Sequence, residues 1–205
     1  YSTLAASAAV VALVTFLLSV LLTGVVRQLA LWRGMLDHPN ARSSHELPTP
    51  RLGGVAVVLS FLLAMAWLAL HGSIPAEIAR ALVAGALVVA AIGLADDILG
   101  LPASARLVAH FGAAGIAVSA IGVPESIQVG GWEWKWGLAG VALSVIGLVW
   151  LINLNNFMDG IDGLCGGHMT VVSLVLAGLI AYREPSSPMP GHFLITAAAC
   201  AGFLA

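Results

Sequence analysis

Residues 153–163, NLNNFMDGIDG, set Asn153 and Asn156 and the carboxylates of Asp159 and Asp162 between one long apolar run and the next. Carboxylates at a membrane boundary are costly unless positive charge meets them. If a helix begins here, three-residue spacing turns Asp159 and Asp162 toward a single object. A structural reading competes, because an Asp ahead of a helix caps orphan backbone donors and complements the helix dipole. The second Asp and the flanking asparagines argue for ligand chemistry over capping alone. A second acidic group, Asp96-Asp97, ends an earlier apolar run. Adjacent carboxylates repel, and the C-terminal end of a helix adds partial negative charge. Left unpaired, they would call for a divalent cation; the competing reading lets both reach water.

Magnesium is the economical cation, since it takes oxygen ligands and is held by one or two carboxylates plus substrate phosphates. No His/Cys set has zinc spacing. His38 and His45 lie in the first polar loop, and His168 follows the second acidic group. His71 lies in another connection, and His110 and His192 fall in apolar runs, where packing is the ordinary role. The first loop reads LDHPNARSSHELPTPRLGG. Its prolines block a regular helix, and Gly53-Gly54 permit close backbone approach as the next run starts. Arg42, Arg51 and His45 offer donors to phosphate, Arg being suited to bidentate contact. Arg27 and Arg33 read as charges that set orientation. There is no GxxxxGK[ST] phosphate loop and no dinucleotide fingerprint.

The elements that must position these residues are membrane spans. The chain has 205 residues, 60% hydrophobic and 9% charged, with a mean hydropathy of +1.02. A soluble domain carries about 25% charged residues, so the chain reads as an all-α, polytopic transmembrane helical bundle in one integral-membrane domain, 1–205. A span needs about 20 apolar residues. The runs fall at 4–26, 53–70, 78–95, 107–122, 138–154 and 167–182, with a seventh starting near 191 and cut short. The first is too long for a signal-peptide core. The chain opens at Tyr1 and stops at Ala205 inside an apolar run, which reads as part of a longer protein.

Basic residues favour the cytoplasmic side. Arg27, Arg33, Arg42, Arg51 and Arg106 fall on one side, against Arg80, Lys135 and Arg183, which puts the N-terminus outside. Asp37, Asp96, Asp97, Asp159 and Asp162 all share the predicted cytoplasmic face, while the glutamates, Glu46 excepted, lie opposite. On the outer side, ESIQVGGWEWKWG between spans four and five predicts a small periplasmic hairpin. Trp132, Trp134 and Trp136 would face one way, as an anchor in the lipid headgroup zone in preference to a sugar platform. A net charge of -2 invites no nucleic acid, and Cys165 and Cys200 support neither a disulfide framework nor a zinc site.

DHPNARSSHELPTPRLGG, Asp96-Asp97 and NLNNFMDGIDGLCGG together resemble the polyprenyl-phosphate N-acetylhexosamine-1-phosphate transferases. Within them, the PNxRSSHxxPTPRxGG loop is closer to the undecaprenyl-phosphate GlcNAc-1-phosphate, O-antigen-initiating type than to the peptidoglycan-precursor phospho-MurNAc-pentapeptide transferase. The resemblance covers the whole chain but only the N-terminal portion of the family pattern. Later spans, a further essential Asp and a His-rich loop have no counterpart in these residues, and Gly100 stands where some members carry a third acid.

The resemblance implies transfer of N-acetylhexosamine 1-phosphate from a UDP-sugar to undecaprenyl phosphate. The setting is the cytoplasmic face of a bacterial inner membrane; UMP is released and a lipid-linked glycan begins. It implies Mg2+, with Mn2+ as a substitute, and catalytic Asp96, Asp97, Asp159 and Asp162. Of these, Asp97 and Asp159 are assigned to the metal, and Asp96 orients or deprotonates the lipid phosphate. Substrate contacts are expected from Asn153, Asn156, Arg42, His45, Arg51, Thr49, Gly53 and Gly54. Membrane lipid is a partner, and a homodimer is an open assembly. An ion-coupled transporter and a catalytically incomplete half are the rival readings.

Overall fold

The computed structural model describes residues 2–37, 48–50, 52–74, 76–159 and 161–205. Its helices are α1 (Ser2–Arg33), α2 (Gly53–Leu70), α3 (Ala76–Leu99), α4 (Ala103–Ile121), α5 (Gly137–Met158), α6 (Leu164–Arg183) and α7 (Met189–Leu204). Inside a bilayer no water satisfies backbone N–H and C=O groups, so each apolar run closes its hydrogen bonds within itself as a helix. The first six are long and apolar enough to cross a membrane. The seventh is apolar but shorter, at 16 residues. All the expected runs are helical, and the fold is an all-α polytopic membrane bundle. Several helices outrun their apolar cores. α3 continues through Asp96-Asp97, and α5 continues through Asn153 and Asn156.

The chain divides into two compact units, residues 1–74 with 156–205, and residues 75–155. The first holds α1, α2, α6 and α7. Its centre is built from small residues, as expected where close van der Waals packing drives helix association in lipid. Thr15, Ser19, Ala56, Ser60, Ala197 and Ala199 are buried, while Leu13, Leu17, Leu21, Leu63, Leu174 and Leu179 stand exposed, as lipid-facing side chains do. α1 and α7 meet most closely at Ser19, whose Oγ donates to the Ala199 carbonyl at 2.6 Å. There Gly202 lies over the backbone of Phe16 and Val20. A short antiparallel ladder, β1 (Leu36–Asp37) with β2 (Thr49–Pro50), closes the first loop, pairing Leu36 with Pro50 and Asp37 with Thr49. The prolines of this loop excluded a regular helix, and the ladder is consistent with that.

The second unit holds α3, α4, most of α5 and the predicted hairpin. β3 (Ser126–Val129) and β4 (Trp132–Lys135) are antiparallel, with Val129 opposite Trp132 and Ile127 opposite Trp134. Gly130 and Gly131 take φ of 59° and 86°, the two consecutive positive values a two-residue turn of this hand needs. Trp132 and Trp134 lie on one face by the two-residue period and are largely exposed. Trp136 departs from the expected stripe. It follows the strand, is half-buried, and its Cβ occupies the space beside Gly140, because its backbone N–H is bonded back to the Glu125 carbonyl.

A methyl group at position 202 would sit 2.5 Å from the Phe16 carbonyl oxygen and 2.8 Å from Ser19 Cβ. A backbone atom cannot rotate out of the way, so α1 and α7 would have to separate. Gly202→Ala is expected to cost about 1–3 kcal/mol. Thermal unfolding of the purified protein in detergent checks this, and an unchanged midpoint would contradict the packing described.

Candidate functional site

The two acidic groups share a local setting that the sequence reading placed correctly for one and wrongly for the other. Asp96-Asp97 lies in the last turn of α3, as expected, with no basic residue in that turn. Asp159 follows the last residue of α5, also without a basic residue in its last turn. No helix begins at Asp159. Ile161, Asp162 and Gly163 form a turn, and α6 starts at Leu164 with Gly163 at its cap in the left-handed region, φ 72°. Asp159 and Asp162 therefore do not share a helix face, and Asp159 is no N-cap. A helix capped by glycine in this conformation offers no side-chain cap and leaves both carboxylates in the connection. Each acidic group thus meets the negative end of a helix dipole.

Asp96 answers that problem within the protein. Its Oδ2 accepts from Arg106 Nη1, and its Oδ1 accepts the Leu101 backbone N–H at 2.9 Å. The expectation that both members of the pair stand unpaired is corrected by this. The loop of residues 100–102 folds back so that the first turn of α4 brings Arg106 to the end of α3. Both carboxylate oxygens of Asp96 are thus engaged within the protein. Asp97 is exposed beside it and has interactions of its own.

In the same unit, Asn153 Nδ2 donates to the Val149 carbonyl one turn back at 2.8 Å. His110 is buried. Packing was the expected role for this histidine, and its burial agrees with that.

In the first unit the glycines of both motifs meet the end of α7. The Phe203 ring fills the space a side chain at Gly53 would need, at 2.6 Å, and Leu204 lies 3.1 Å from that position at Gly166 and 3.7 Å at Gly163. Gly53, expected among the substrate contacts through close backbone approach, has this ring packed against it. Gly54 faces open space. Leu52 just before it takes φ 74°, a strained conformation for a branched residue. Through Phe203 and Leu204, the start of α2 and the Asp159–Asp162 turn stand at one end of this unit. Thr49, in β2, borders the same loop. Asn156 is exposed near the end of α5. Arg42, His45 and Arg51, the expected phosphate donors, lie outside the described residues.

Asp159 is open to solvent on one side and crowded on the other, and this partial desolvation pushes its carboxyl above the ordinary value of 3.8. Among the described residues no three His, Cys, Asp or Glu side chains close into a ready-made cation cage. An ion held here would complete its shell from water or a ligand's phosphates, the usual habit of magnesium.

Residues 79–205 match the model of glycosyl transferase family 4. The chain is 28% identical over 202 residues to a probable undecaprenyl-phosphate N-acetylglucosaminyl 1-phosphate transferase of Bacillus subtilis, covering 95% of this chain and 54% of that protein. It is 32% identical over 221 residues to the decaprenyl-phosphate N-acetylglucosaminephosphotransferase of Mycobacterium tuberculosis, covering 96% and 52%. To the undecaprenyl-phosphate alpha-N-acetylglucosaminyl 1-phosphate transferase of Yersinia pestis it is 30% identical over 176 residues, covering 82% and 46%. The chain spans about half the length of these relatives.

The raised carboxyl of Asp159 has a consequence for stability. The folded state holds its proton at pH values where the unfolded chain has lost it. The stabilising contribution is therefore complete below the ordinary carboxyl range and is lost as pH rises through the raised value. Asp159→Asn removes an ionisation that opposes folding. Without divalent cations, its melting temperature at pH 7 should equal or exceed that of the unmodified protein, and the difference should close as pH falls below about 4. Melting curves in EDTA across that range test it; a variant destabilised at pH 7 and matched at pH 4 would reverse the sign.

Proposed function

The chain belongs to glycosyl transferase family 4, and from that premise we propose that the protein transfers N-acetylhexosamine 1-phosphate from a UDP-sugar to a polyprenyl phosphate, undecaprenyl phosphate in a bacterial inner membrane. UMP is the second product, and the lipid-linked sugar begins an envelope polysaccharide of the O-antigen kind. The relatives' names support a GlcNAc-type donor and a polyprenyl-phosphate acceptor. The single observation that carries the reading is the pairing of two acidic groups with the C-terminal ends of helices at the edge of the apolar spans. The edge of a span is where a nucleotide diphosphate arriving from the cytoplasm and a lipid phosphate held at headgroup level are both within reach. Acids at helix ends fit a carrier less well, because coupling sites in transporters lie near the bilayer midplane.

Asp97 and Asp159 are the carboxylates we assign to Mg2+, with Mn2+ as a substitute; the ion neutralises charge on the diphosphate when bound. Oxygen donors next to negative helix ends suit such an ion. Asn153, Asn156 and Asp162 are assigned to the nucleotide and diphosphate. Asp96, already bonded to Arg106 and Leu101, keeps the turn after α3 in shape and orients the acceptor. A phosphate monoester has its second pKa near 6, so the lipid phosphate arrives largely as the dianion and needs no base. One of its oxygens attacks the sugar-linked phosphorus. The new P–O bond forms as the bond to the bridging oxygen breaks, and UMP leaves with that electron pair. Positioning and charge neutralisation suffice for such a transfer. A covalent Asp intermediate would be a different route.

Full-length protein in detergent should release UMP only when UDP-GlcNAc, undecaprenyl phosphate and Mg2+ are all present, and EDTA should stop it. Solute flux in proteoliposomes with no product would favour a carrier instead. Asp97→Asn should lower turnover by about a hundredfold or more; near-normal turnover would remove Asp97 from the metal role. Without lipid acceptor, labelled UMP should not exchange into the UDP-sugar, whereas exchange in lipid-free enzyme would establish the covalent route.

A further inference from the structure

The way α1 ends builds a hollow beside it. Gly34 follows Arg33 with φ 65°. Its N–H donates to the Leu31 carbonyl at 3.2 Å, and the Met35 N–H donates to the Ala30 carbonyl at 2.9 Å. This pair of bonds is a Schellman motif, which turns the residue after the glycine back over the last helical turn. Met35 is that residue. The ladder of β1 and β2 then returns the chain toward α1. Leu52 takes its left-handed conformation, and the Val55 N–H donates to the Leu52 carbonyl at 3.0 Å as α2 begins. Between the two turns lies a cavity of about 270 Å³ walled by Val26, Leu29, Ala30, Met35, Leu52 and Val55.

Among the described residues, Arg33 is the polar member of this lining. It is exposed, and its guanidinium carbon lies 5.3 Å from the centre of the exposed Trp32 ring. A tryptophan beside an arginine at the end of a span marks the level of the lipid headgroups. An apolar cavity stays dry and takes an apolar guest, and the guest that surrounds a span is hydrocarbon chain. At about 270 Å³ the space falls just under the roughly 300–1,000 Å³ that holds a drug-sized molecule, so it takes part of one chain. Apolar walls with a guanidinium at the rim complement a hydrocarbon chain that carries an anionic phosphate at its head.

We propose that this cavity binds an anionic phospholipid: one acyl chain fills the space between α1 and the turn of Leu52 and Val55, and the phosphate pairs with Arg33. The lipid supplies packing that these side chains leave out, and so braces the strained turn at which α2 starts. Arg33 thereby gains a role beyond setting orientation. The site stands apart from the transferase reading and holds whether or not that reading does.

The test uses full-length protein stripped of lipid in detergent and titrated with phosphatidylglycerol. Native mass spectrometry reads the bound lipid, and thermal unfolding reads its effect. At saturation the unfolding midpoint should rise by about 3 °C or more. Arg33→Gln should weaken binding about tenfold, the loss of a hydrogen bond to a charged group, and Arg33→Lys should keep part of it as a point charge. Val26→Phe fills the cavity, so its midpoint should no longer respond to the lipid. If Val26→Phe does not fold, Leu29→Trp, at a half-exposed position, fills the same space. Equal binding in Arg33→Gln and the unmodified protein, or a full midpoint response in the filled variant, would overturn the site. So would an unmodified protein that binds no phosphatidylglycerol, since its own chain then covers the cavity. Undecaprenyl phosphate that displaces phosphatidylglycerol at equal or lower concentration would make this an acceptor site, and lipid binding lost on dimerisation would make it a subunit contact. Either result overturns the phospholipid assignment.

Discussion

Negative charge at the negative end of a helix is the arrangement on which the rest of this structure turns. α3 ends on Asp96-Asp97 and α5 is followed by Asp159, with no basic residue in either last turn. A helix end of this kind carries roughly half a negative charge, so each acid adds to a field already opposed to it. The protein relieves one of these positions itself, by folding the loop after α3 so that Arg106 reaches Asp96. It leaves Asp159 half in solvent with its carboxyl pushed up.

The apolar spans were legible because hydropathy reports the bilayer directly: a run of about 20 apolar residues has few structures open to it other than a helix. Their ends were less legible, for the same reason. Hydropathy marks where lipid stops, while backbone hydrogen bonding decides where a helix stops, and α3 and α5 continue past their apolar cores through Asp97 and Asn156. The hairpin was readable because Gly130-Gly131 is a local signal with one physical meaning. The ladder between residues 36–37 and 49–50 was not, because its register pairs residues across an eleven-residue gap, which no local pattern records.

The candidate site divides along the same line. Residue types and spacing located the acids, but not which of them were already satisfied. Arg106 looked like an orientation-setting charge, yet it is ten positions from Asp96 and bonds it. Gly53 looked like a place of close approach, and the Phe203 ring lies against it. In each case the residue type limited the roles correctly, and the choice among them came from an element remote in sequence.

α5 makes the consequence concrete. Within it Asn153 and Asn155 each donate to the carbonyl four residues back, Val149 at 2.8 Å and Leu151 at 2.9 Å. A polar side chain that satisfies itself on the preceding turn needs no partner from outside the helix, so the helix runs on to Met158 instead of ending at Leu154, where hydropathy alone would have placed its limit.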